Sequence, residues 1–172
     1  MTVSRVSVRT LICLLLTATL LAPIASVKAA EKAKGSVTYK GPKKTFTIAL
    51  THAYLVKGPD TFDEKKTVRR IVFTTTDFSA AIKGADKLDG FDGKLMEGII
   101  IGLDGPRLTY WLVLNDQLVQ SSGVVEPSSL KAKANSADRV AGKLVFDDSK
   151  SDGPKIDVEF DAPLLKSFTK GG

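Results

Sequence analysis

Two stretches of this chain alternate apolar and polar residues so cleanly that extended strands are the natural solution. In the first, Phe46, Ile48, Leu50, His52, Tyr54 and Val56 occupy every second position. In the second, Ile156, Val158 and Phe160 alternate with Lys155, Asp157, Glu159 and Asp161. Side chains of a strand point to opposite faces in turn, so each run predicts one face in a core and one in water. Turn residues punctuate the pattern at Gly41-Pro42, Gly58-Pro59-Asp60 and Asp104-Gly105-Pro106. Arg69–Thr76 holds Ile71, Val72, Phe73 and three threonines, a strand composition. The apolar runs Ile99–Ile101 and Leu108–Leu114 flank a short turn and read as a hairpin. Tyr110–Leu114 is apolar on both faces, which predicts a strand covered on both sides. Val140–Phe146 and Ile156–Phe160 predict a closing hairpin through Asp147–Pro154.

Helical signals are few. Asp77 is placed to cap a short helix through Ser79 and Ile82 that Gly84 stops, and Pro127–Leu130 fits a single turn. Gly90 and Gly93 predict an irregular Asp86–Met96 segment. The fold expected is all-β: an antiparallel sandwich or small barrel with one or two short helical turns.

The N-terminus reads as a secretory signal peptide over residues 1–29. Arg5 and Arg9 precede an apolar stretch, Leu11–Leu21, too short to span a bilayer comfortably, and Val27 and Ala29 suit a cut after Ala29. Residues 30–172 are then the working domain, exported to the periplasm or beyond, with 30–35 expected as a mobile leader. The chain carries 25 basic and 19 acidic residues; losing Arg5, Arg9 and Lys28 leaves 22 and 19, a net charge of +3. That excess favours solubility more than a nucleic-acid partner. A domain of about 143 residues buries roughly two-thirds of its unfolded surface. It does so without covalent staples, because the lone cysteine, Cys13, lies in the signal. Disulfides, thiol nucleophiles and thiolate metal sites are thereby excluded from the mature domain. No later apolar run approaches the ~18 residues of a membrane span.

Several segments are similar to those of a group of small exported bacterial proteins without an assigned activity. They are His52-Ala53-Tyr54 with Pro59-Asp60, Arg69–Phe73, Gly105-Pro106-Arg107 through Tyr110-Trp111, and Arg139–Lys143 through Asp157–Leu164. The resemblance covers most of the mature chain. It implies an exported single domain of bacterial origin and carries no activity with it. Some of those proteins have cysteines in the region matching Asp86–Glu97, where this chain has none.

Chemistry-bearing residues are sparse. His52 is the only histidine, which excludes a multi-histidine zinc site and makes any Ser-His-Asp arrangement depend on its accessibility. Asp148–Glu159 places Asp152, Gly153 and Glu159 at positions five, six and twelve of a calcium loop. Lys150 stands at the third ligand position, however, and Glu159 falls in an alternating strand, so a hairpin loop is the better reading. Asp86, Asp89 and Asp92 are the remaining weak metal candidates, on a segment loosened by glycine. Phosphate-loop, nucleotide-fingerprint and nucleophile-elbow motifs are absent, so no cofactor is expected. The pairs Lys43-Lys44, Lys65-Lys66 and Arg69-Arg70 lack interleaved aromatics and read as solvated edges. Tyr110 and Trp111 point to opposite faces of one strand: one belongs to the core, and the other either packs under the Asp86–Met96 segment or lines a groove. With His52 they are the ligand-binding candidates. The function expected is a non-catalytic exported domain that binds a small ligand or an envelope protein. The alternatives are a hydrolase using His52 or an acidic pair, and a structural or assembly factor of the envelope.

Overall fold

The computed structural model describes residues 32–172, so the signal expected over residues 1–29 lies outside the described residues. Ten strands dominate the described residues. They are β1 (Lys32–Lys40), β2 (Thr45–Leu50), β3 (His52–Pro59), β4 (Thr67–Thr74), β5 (Gly98–Gly102), β6 (Leu108–Leu114), β7 (Val119–Val125), β8 (Leu130–Asn135), β9 (Arg139–Asp147) and β10 (Lys155–Ser167). One short helix, α1 (Ser79–Gly84), and 3-10 turns at Asp92–Lys94, Pro127–Ser129 and Ser149–Ser151 complete the fold. The all-β expectation holds.

The strands run β2-β1-β10-β3-β4-β5-β6-β7 in one curled sheet, a half-barrel, with β9 and β8 branching from β10. The branch exists because β10 does two jobs. Its first part, Lys155–Pro163, lies between β1 and β9, both antiparallel to it. Beyond Pro163 it leaves β9, passes a register shift between Leu164 and Lys166, and pairs with β3 in parallel. A proline has no N–H for a ladder, and an irregular register bends a strand, so the change of partner falls where the chain permits it. This one parallel pairing departs from the purely antiparallel expectation.

The curl encloses one core. Val37, Leu50, Leu144, Phe146, Ile156, Val158 and Phe160 from one half meet Leu55, Ile71, Phe73, Ile99, Ile101, Tyr110 and Leu112 from the other. Phe160 and Phe73 meet edge to face with ring centroids 5.0 Å apart. A second cluster covers the outer side of β3–β6, where Tyr54, Val56, Val72, Ile100 and Val113 pack under Ile82, Leu88, Phe91 and Leu95. β3–β6 are therefore buried on both faces, as the doubly apolar Tyr110–Leu114 run required. Asp77 stands one residue before the helix cap at Phe78 and accepts from Ser79 N at 2.8 Å.

Two more expectations change. The Phe46–Val56 run is two strands rather than one, broken at Thr51. β2 sends Phe46, Ile48 and Leu50 toward the first core, whereas β3 sends Ala53 and Leu55 there and Tyr54 and Val56 to the second cluster. The residues expected as a mobile leader are ordered from Lys32, because Lys32–Gly35 lie in β1 opposite Asp161–Val158. β7 and β8, unmarked in the sequence, pair with β6 and β9.

Candidate functional site

His52 opens β3 at the corner where the chain passes from one half of the curl to the other. It is half-buried, and its ring stacks on that of Tyr54 at 6.1 Å. It lines an open groove of about 920 Å³ together with Thr51, Asp77, Arg139 and Asp161. The hydrogen bonds around it fix its chemistry. The Thr51 hydroxyl donates to Thr75 O at 2.7 Å and meets His52 Nδ1 at 2.9 Å. A hydroxyl has one proton, and this one is given to a carbonyl. Nδ1–H must then donate to Thr51 Oγ1, which leaves the lone pair of the neutral ring on Nε2. Thr51 is thus an anchor for the ring, not a nucleophile activated by it.

Asp77 is equally occupied. Its Oδ1 accepts from Ser79 N and from the Tyr54 hydroxyl, each at 2.8 Å. The Ser79 N–H and hydroxyl, followed by the Tyr54 hydroxyl, hold its carboxyl at about 2, far below what a proton shuttle near neutrality requires. Arg139 is engaged with Asp161 through two bonds of 2.9 and 2.7 Å, which lower the Asp161 carboxyl and raise the guanidinium. Across the outer face of the sheet Lys34 stands opposite Glu159 and Lys32 opposite Asp161, so rows of opposite charge alternate. The groove mixes polar and apolar lining and carries four basic and three acidic side chains.

Tyr110 and Trp111 do point to opposite faces, and neither joins His52. Tyr110 is buried in the first core, its ring against Phe146 and its hydroxyl donating to Asp148 Oδ2 at 2.6 Å. Burial, then the Asp148 bond, push its hydroxyl up to about 12. Trp111 packs on the second cluster and lines a cavity of about 270 Å³ with Arg70 and Asp92.

The acidic candidates separate. Asp86 is exposed. Asp89 and Asp92 share the Arg70 guanidinium, at 2.5 and 3.7 Å, so a side-chain cation already meets their charge. Asp92 has a buried Oδ1 without a hydrogen-bond partner, and burial pushes its carboxyl up to about 6 against the pull of Arg70. Among the described residues no group of three or more His, Cys, Asp or Glu has the arrangement of a metal site. Asp148, first position of the calcium-like loop, accepts from Tyr110, and Glu159 lies in β10 opposite Lys143.

A second concave place escaped sequence reasoning. The half-barrel stops at β2 on one side and β7 on the other; β2 pairs only with β1, and β7 only with β6. At this seam the β1–β2 and β6–β7 hairpins frame a cleft of about 500 Å³. Tyr39, Phe46 and Val119 floor it and pack against the first core while remaining half-exposed. Leu118, 80% exposed, stands at its lip. Lys43 and Lys44 complete the rim, with Lys44 Nζ 4.4 Å from the centroid of the Phe46 ring. The available signal was Leu118 beside Val119, two apolar residues directly after the polar Asn115-Asp116-Gln117. Asn115, Asp116 and Gln117 adopt left-handed backbone, φ 53°, 55° and 68°, in the turn between β6 and β7. Compared with known proteins, no family model, no curated protein and no solved structure matches this chain, so the resemblance to small exported bacterial proteins rests on its sequence segments alone.

Proposed function

We propose that this chain is a non-catalytic binding domain that works outside the cytoplasm and takes a small apolar ligand in the seam cleft. The observation that carries the reading is the seam itself. An apolar floor continuous with the core is left open to solvent, beside a leucine with 80% exposure. The cleft volume falls within the ~300–1,000 Å³ of ligand sites. Beside His52, the Thr51 hydroxyl, the Asp77 carboxylate and the Arg139 guanidinium are each committed to a fixed partner, which supports the non-catalytic reading.

The test uses a neutral fluorescent probe, N-phenyl-1-naphthylamine, titrated into the purified protein, with a panel of ester and glycoside substrates run in parallel. Saturable probe binding that Leu118→Asp abolishes, with no turnover, is expected; Leu118 is exposed, so that change leaves the core intact. Turnover that His52→Ala abolishes, with no probe binding, would replace this reading with a hydrolase.

A further inference from the structure

We infer that the seam cleft is a site for a long-chain fatty-acid anion, its acyl chain on the Tyr39–Phe46–Val119 floor and its carboxylate at Lys43 and Lys44. The inference rests on the binding reading above and adds the class of ligand.

Three observations select that class. The floor is made of aromatic and aliphatic side chains, and the cleft is lined by two lysines and no acidic residue. Both lysines lie on the β1–β2 side, so the charge is at one end of an apolar path rather than spread around it. They are free to serve a ligand: the ion pairs among the described residues involve Lys57, Arg69, Arg70, Arg107, Arg139, Lys143 and Lys155, and neither Lys43 nor Lys44. The Lys44 ammonium is held over the Phe46 ring, where a carboxylate can reach it while the following methylenes lie on the same ring's surroundings. An acyl chain also needs no hydrogen bond from the floor.

The ligand probes are decanoate, dodecanoate and the neutral dodecanol, each below its aggregation limit, titrated calorimetrically into the wild type. One site per chain is expected, with affinity rising about fourfold for each methylene that reaches the floor. Dodecanoate should bind about fivefold more tightly than dodecanol, and this advantage should shrink at high salt, as it must for a solvent-facing ion pair. Lys43→Gln with Lys44→Gln, in an exposed turn, should remove the advantage and leave dodecanol unchanged. Lys133→Gln, in the groove at the opposite side of the curl, should change nothing.

Dodecanoate and dodecanol of equal affinity, both insensitive to the lysine changes, would overturn the assignment of the anion while leaving an apolar ligand in place. No saturable binding of either, with the neutral probe still bound, would overturn the acyl assignment alone. If the neutral probe also failed to bind, both readings would fall together. Sedimentation supplies the remaining outcome: a dimer dissociated by Leu118→Asp would show that a second copy covers the seam, and would overturn the assignment.

Discussion

Replacing Asp92 by Asn should stabilise this protein, and should do so only above a definite pH. Asp92 Oδ1 is buried without a hydrogen-bond partner, and Arg70 is 3.7 Å from Oδ2 while committed to Asp89 at 2.5 Å. Burial outweighs the distant guanidinium, and the Asp89 charge adds to it, so the folded state raises the carboxyl from 3.8 to about 6. That rise is equivalent to about 3 kcal/mol of preference for the neutral form. The sign follows from proton binding. Between the unfolded and folded values the native state holds the proton more tightly, so stability is greatest below about pH 3.8 and falls as pH rises to about 6. Above that the loss is constant. Asn imitates the neutral carboxyl at every pH. With a quarter of the side chain in solvent and the weak Arg70 attraction forfeited, the gain at pH 7 should be about 1–2 kcal/mol. Urea unfolding of both proteins at intervals from pH 4.5 to 7.5 reads it directly. The difference should grow up to about pH 6 and then level off. A variant less stable than wild type by the same amount throughout would mean that the Arg70 ion pair outweighs burial, and the argument would fail.

Two further outcomes test the fold and the export reading. Phe160→Ala removes a ring packed edge to face on Phe73 and should cost about 3–5 kcal/mol, while Glu159→Ala, on the solvent face, should stay within about 0.5 kcal/mol; denaturant midpoints that reverse this order would shift the register of β10 by one residue. N-terminal sequencing of the exported product should begin at Ala30 or within a residue or two of it, and an intact Met1 on a soluble cytoplasmic product would refute the signal.

Legibility followed solvation. The closing strand could be read because Ile156, Val158 and Phe160 face the core while Lys155, Asp157 and Glu159 face water. β7 could not, because the residues it turns inward include Ser121 and Gly123. Gly123 is small for a reason that only the fold reveals: a Cβ there would meet the Tyr110 hydroxyl. β8 is Leu-Lys-Ala-Lys-Ala-Asn, whose alanines give little contrast with the lysines between them. The break at Thr51 was hidden for the opposite reason. A series of large side chains at even positions, Phe46 to Val56, runs through it, while the chain beneath exchanges one set of neighbours for another. The Tyr110–Trp111 divergence was legible from period two alone. The Arg70 contact with Asp89 and Asp92 was not, since nothing local brings those residues together, and the seam depends on which strands end up as edges.

The sharing of β10 has a kinetic consequence. The first described strand, β1, is held by β2 and by Lys155–Asp161, more than a hundred residues further along the chain. Neither side of the curl is finished until that last strand has been made, and every earlier hairpin must wait with its inner face uncovered. Distant pairings of this kind slow folding, because the intervening chain must be ordered before the contact forms. The pairings that join the two sides of the curl, β10 with β1 and β10 with β3, are therefore the last that the growing chain can make.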